Sequence, residues 1–101
     1  MKRSRTLAAG IAVSMMALAH VPQAAADTTR GELLTSSCFA CHSIDGTGNM
    51  PNLVGYPRDL LISQMKAFKD GSRQGTIMNR LARGYTEEEI VLMGDYFAKI
   101  Q

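Results

Sequence analysis

The chain has 101 residues, 46% of them apolar and 20% charged, with a formal net charge of +2. That charge is unevenly placed. Lys2, Arg3 and Arg5 open the chain, whereas residues 27–101 hold eight basic against nine acidic side chains, a formal −1. A nucleic-acid binder needs a concentrated basic patch, and no such patch is visible.

The first 26 residues read as a cleaved signal peptide. A basic start is followed by an apolar stretch from Leu7 to Ala19, then Pro22, Gln23 and the small residues Ala24-Ala25-Ala26, which place the cut before Asp27. The apolar run is shorter than the roughly 20 residues a helical span requires, and no later segment is apolar enough to span. The expectation is an exported, periplasmic protein with no membrane insertion after cleavage. Residues 27–101 then form one domain of 75 residues. A domain of that size is marginal without a staple. A disulfide between its two cysteines, Cys38 and Cys41, would close too small a loop to help. A bound cofactor would supply the missing core.

In chain order, Thr28 to about Ser37 predicts a short helix capped by Asp27 or Thr28. Ser43 to Tyr56, rich in Gly, Asn, Asp and Pro, predicts an irregular loop. A second helix is expected from Pro57 to about Lys69, with Leu60, Leu61, Gln64, Met65 and Phe68 at helical spacing and Gly71 as its stop. Another irregular stretch follows to Gly84. The last helix starts at Thr86, where Glu89 completes a capping box and Glu87, Glu88 and Glu89 suit the positive end of the helix dipole. Ile90, Met93, Gly94 and Phe97 face inward. The fold class is all-α: three or four short helices and two long loops. Loops of that length in so small a domain are commonly functional, and wrapping a flat cofactor would account for both.

Cys38-Phe39-Ala40-Cys41-His42 is the C-x-x-C-H signature of c-type haem attachment. Two sulfurs three positions apart reach the two vinyl groups at one porphyrin edge, and the adjacent His42 then lies below the ring as an iron ligand. A thioredoxin-like pair would sit in an α/β context. A structural zinc site needs four ligands, and residues 27–101 contain only three cysteine or histidine side chains. One covalent haem c is therefore the expected cofactor. For the sixth ligand, residues 27–101 hold no second histidine, and methionine is the natural alternative. Met65 and Met93 belong to apolar helical stripes, and Met50 lies close after His42. Met78 lies 36 residues beyond His42, enough chain to reach the opposite face. The alternative is that Met78 packs under its loop around a five-coordinate iron, as in a haem sensor or peroxidase. The Pro51 carbonyl can accept the second ring N–H of His42, or Pro51 is simply a turn residue. Arg73, Arg80 and Arg83 flank Met78, where they can meet haem propionates or an acidic partner.

Taken together, residues 27–101 resemble a class I c-type cytochrome: a helix entering C-x-x-C-H, a proline loop, an axial-methionine loop and a closing helix. In that family the first and last helices cross at a small residue, which implies Gly31 against Tyr96 or Phe97. The runs Ala67-Phe68-Lys69-Asp70-Gly71 and Thr76-Ile77-Met78-Asn79-Arg80-Leu81-Ala82-Arg83-Gly84-Tyr85 are similar to the cytochrome subunit of flavocytochrome c sulfide dehydrogenases. That similarity implies Met78 as axial ligand, electron transfer without catalysis on this chain, and a flavoprotein subunit that oxidises sulfide and reduces the haem. A free shuttle to another redox enzyme is the other reading, because a shared scaffold does not fix the partner.

Overall fold

Three consecutive alanines decide where the first helix begins. Ala is the strongest helix former, and helix α1 runs over Gln23–Thr35, so it starts before Asp27 and takes Ala24–Ala26 into its first turn. The expected cap at Asp27 or Thr28 is not formed: Pro22 is the N-cap, and no side chain caps the end. Asp27 instead accepts from the Gln23 amide at 2.8 Å, and the Thr28 hydroxyl donates back to the Ala24 carbonyl at 2.9 Å. In a computed structural model, the residues described are 22–45 and 50–101. Most of the signal reading, residues 1–21, and the stretch 46–49 of the first loop lie outside the described residues.

The chain leaves α1 through a 3₁₀ turn, Ser36–Ala40, rather than by extending the α-helix to Ser37. Helix α2 spans Arg58–Asp70, with Pro57 just outside as N-cap and Gly71 closing it at φ 85°. Only glycine reaches that left-handed conformation without strain. Helix α3, Met78–Ala82, lies inside the stretch expected to be irregular. Met, Arg, Leu and Ala all favour helix, but five residues are too few to show a period or to hold a helix alone; packing against α2 sustains it. Helix α4, Glu87–Lys99, has the predicted Thr86–Glu89 capping box, with both reciprocal hydrogen bonds present. The Thr86 backbone N–H, and secondarily Arg30, hold the Glu89 carboxyl below its ordinary value. That contribution is complete above the unfolded carboxylate range and fades as pH falls through the depressed value. Among the described residues the architecture is four helices and a 3₁₀ turn, with no strand.

Helix α1 crosses α4, and α2 packs on both α3 and α4. The core is small: Leu61, Met65, Ala82, Ile90, Met93 and Phe97. The inward positions expected on α4 are all buried, as are Leu61 and Met65 on α2, while Leu60 turns outward at 44% exposure. The α1–α4 crossing depends on Gly31. A Cβ there would lie 2.9 Å from the Leu92 carbonyl oxygen and 3.1 Å from the Tyr96 Cβ. The partner across the crossing is thus Tyr96, and Phe97 instead lies edge-on to Phe39 at 5.6 Å. Replacing Gly31 with Ala should cost about 1–3 kcal/mol, the range for overpacking a tight contact. A thermal melt indistinguishable from that of the parent would show that the helices separate without penalty.

Candidate functional site

The site is built by three chain segments that converge on one cleft. The first is the 3₁₀ turn. Three residues complete a 3₁₀ turn, so residues three apart point the same way, and the backbone N–H groups of Cys41 and His42 both bond the Cys38 carbonyl, at 3.2 and 2.9 Å. Cys38, Cys41 and His42 all line the cleft, while Phe39, between the cysteines, packs into the core. Neither cysteine is in a disulfide. Burial pushes the Cys38 thiol above its ordinary range, with the neighbouring Cys41 adding to the rise against an opposing backbone hydrogen bond. Redox thiols of the thioredoxin kind are shifted in the opposite direction.

The second segment is the loop before α2. The His42 Nδ1 lies 2.7 Å from the Pro51 carbonyl oxygen. A carbonyl can only accept, so Nδ1 carries the proton and Nε2 keeps its lone pair free for a metal. The loop is itself anchored. The Asn52 side chain accepts from the Val54 N–H at 2.9 Å and donates to the Ile44 carbonyl at 3.2 Å. Gly55, at φ 68°, donates to the Phe97 carbonyl at 2.9 Å, tying the loop to α4.

The third segment carries Met78, half-buried at the start of α3 and also lining the cleft. The cleft holds about 280 Å³, and its remaining wall is mostly apolar, with Leu53, Leu61, Met65, Phe68, Met93 and Phe97 contributing. Met65 and Met93 are 6% and 2% exposed and serve as core, as expected of both; Met50 is 43% exposed at the rim. Of the three flanking arginines, only Arg73 joins the wall, its guanidinium 4.8 Å above the Phe68 ring. Arg80 and Arg83 are exposed and stand outside it.

Sequence reasoning missed two polar features here. The Tyr56 hydroxyl donates to Gln64 Oε1 at 3.0 Å, and both residues line the cleft. A lone amide within the apolar stripe of α2 was the available signal. Asn79 makes three hydrogen bonds to backbone groups around the Met78 segment, and nothing in its sequence context marked it.

Two thiols, an imidazole nitrogen and a thioether around an apolar cleft form a donor set that fits a covalently held haem. Among the described residues there is no cluster of His, Cys, Asp and Glu suited to a bare metal ion. Fold and cleft together define a small helical domain whose largely apolar cleft suits a planar prosthetic group.

No family model matches the chain. Individual relatives do. It is 40% identical over 74 residues to the cytochrome subunit of sulfide dehydrogenase from Chlorobaculum tepidum, covering 71% of this chain and 67% of that one. It is 36% identical over 80 residues to cytochrome c-554(548) of Halomonas halodenitrificans, covering 73% and 96%. With cytochrome c-553 of Nitratidesulfovibrio vulgaris the identity is 31% over 97 residues, covering 89% and 95%. The chain belongs to the c-type cytochromes, as a small all-helical member of the electron-carrier kind. That membership implies a covalent haem c.

Proposed function

We propose that this protein is an exported monohaem cytochrome in which Cys38 and Cys41 form the thioethers, His42 and Met78 are the axial iron ligands, and a flavoprotein sulfide dehydrogenase supplies the electrons. The observation that carries the ligand assignment is the convergence of these four side chains on one apolar cleft, with His42 Nδ1 on the Pro51 carbonyl. When bound, the haem supplies one-electron exchange between Fe(III) and Fe(II). The protein's residues do the rest. Pro51 fixes the histidine ring and its tautomer. The apolar wall excludes water, and thioether ligation favours the reduced state. If His42 and Met78 both held the iron, no place would be left for a substrate, which would suit a carrier better than a sensor or peroxidase.

The sulfide assignment is supported by the 40% identity to the Chlorobaculum tepidum subunit. A free electron shuttle is the second reading, favoured by the near-complete coverage of the Halomonas halodenitrificans and Nitratidesulfovibrio vulgaris cytochromes. Export is supported by the basic-then-apolar order of residues 1–26 and by Ala24–Ala26 before Asp27. No helix of the described residues is long and apolar enough to cross a membrane. A cut before Asp27 removes the first turn of α1 and keeps Gly31, the crossing residue.

Purification from the native host tests these points together. The expected product begins at Asp27 by intact-mass measurement, shows a haem c spectrum, and travels with a larger flavin-containing subunit through which sulfide reduces the haem. A lone haem c protein that no sulfide-oxidising fraction reduces would replace this reading with the shuttle.

A further inference from the structure

Asn79 stands beside Met78 in the first turn of α3, half-buried, with its side-chain amide turned back on the preceding loop. Its Oδ1 accepts from the Gly75 N–H at 2.8 Å. Its Nδ2 donates to the Phe68 carbonyl at 2.9 Å and to the Arg73 carbonyl at 2.7 Å. Two of these partners are carbonyls and one is an N–H, so only this orientation of the amide satisfies all three. One side chain thereby joins the last turn of α2, the middle of the loop and the start of α3.

The segment needs such an anchor. Five residues do not sustain a helix, and Ile77, at the N-cap, gives no side-chain cap. A methionine side chain has three rotatable bonds, so the direction of its sulfur depends on where its backbone is held. The loop is also in close contact with α2: a Cβ at Gly75 would come within 3.0 Å of the Phe68 ring. Asn79 bonds the backbone of both contacting residues.

We propose that Asn79 is the positioning residue that holds Met78 against the cleft, and that it sets how often the sixth coordination place opens to other ligands. This rests on the reading of Met78 as the axial thioether. An added ligand binds only the open arrangement, so its apparent affinity scales with the open fraction. The three bonds of Asn79 belong to the closed arrangement. One net hydrogen bond is worth about a two- to tenfold change in an equilibrium, and losing three, partly replaced by water, should raise the open fraction about tenfold or more.

The test is an imidazole titration of the ferric holoprotein, comparing the parent with Asn79→Ala and Asn79→Asp. Alanine removes all three bonds. Aspartate keeps the acceptor for Gly75 but sets a carboxylate oxygen against two carbonyls. Both variants should bind imidazole about tenfold or more tightly than the parent, and the sulfur-to-iron(III) charge-transfer band should fade on heating before the helices melt. Affinity within twofold of the parent in both variants, whatever happens to the melting temperature, would show a merely structural role and overturn the proposal. The unmodified protein gives a second measurement should the variants fail to fold. Saturating imidazole should speed hydrogen exchange at the Gly75 N–H, and unchanged protection there would equally count against it. A parent protein that lacks the charge-transfer band and binds imidazole as tightly as Met78→Ala would remove the Met78 reading, and this inference with it. That failure is distinct, because it appears before Asn79 is altered.

Discussion

Replacing both Cys38 and Cys41 with alanine should yield a chain that loses its haem on denaturing electrophoresis and no longer melts cooperatively near the parent's temperature. The reason lies in how little core the polypeptide makes by itself. Its largest fully buried side chains are Phe97, Ile90, Met93 and Thr35, the last a polar residue whose hydroxyl bonds the Gly31 and Glu32 carbonyls within α1. Leu53, Tyr56, Phe68 and Met78 complete their burial only if something fills the cleft they line. A domain of this length has a stability on the order of 5–10 kcal/mol, and a tethered group that is buried in the cleft only in the native state contributes that burial to it. Losing the tether should therefore cost a large share of the total, read as loss of the sharp thermal transition in circular dichroism. A double variant that melts as the parent does while carrying no haem would show that the helices pack adequately alone and that the cofactor is not a needed part of the core.

Replacing Met78 with Ala should lower the reduction potential by roughly 0.1 V or more, within the roughly 0.8 V range over which axial ligands tune haem. A thioether favours Fe(II), so exchanging it for water or nothing favours the oxidised state. The same change should let the reduced protein bind carbon monoxide readily, which the parent should resist. Met78 is half-buried at the start of α3, so truncation also leaves a cavity, and a loss of about 2–4 kcal/mol of stability should accompany the shift. Potential and spectrum both unchanged would mean that another group fills the sixth place. Of the other methionines on the cleft, Met50 is the most exposed, and a Met50→Ala variant would identify it.

The helical boundaries read from sequence were right where a local rule acts alone. Thr86 and Glu89 cap α4 because their mutual spacing is sufficient for the box, and Gly71 ends α2 because only glycine takes its backbone angle cheaply. The boundary at Asp27 was wrong because two local signals compete there: Asp and Thr favour a cap, but three alanines before them favour continuing the helix. Helix α3 was not visible for a different reason. Five residues carry no periodicity, and what makes them helical is their contact with α2.

The candidate site divides in the same way. Sequence by itself determined the grouping of Cys38, Cys41 and His42, since their relation is a matter of adjacent backbone turns. It also determined the all-helical class, through the spacing of apolar side chains on α2 and α4. Only the tertiary structure decided that Met78 faces the same cleft as His42, that Arg73 joins its wall while Arg80 and Arg83 do not, and that Asn79 binds three backbone groups. The meeting of Met78 with His42 depends on how all four helices pack, and no short stretch of the chain records it. The Arg73 and Asn79 contacts lie within residues 68–79, but they depend on how the loop between α2 and α3 folds back on α2, and that loop carries no periodicity to read.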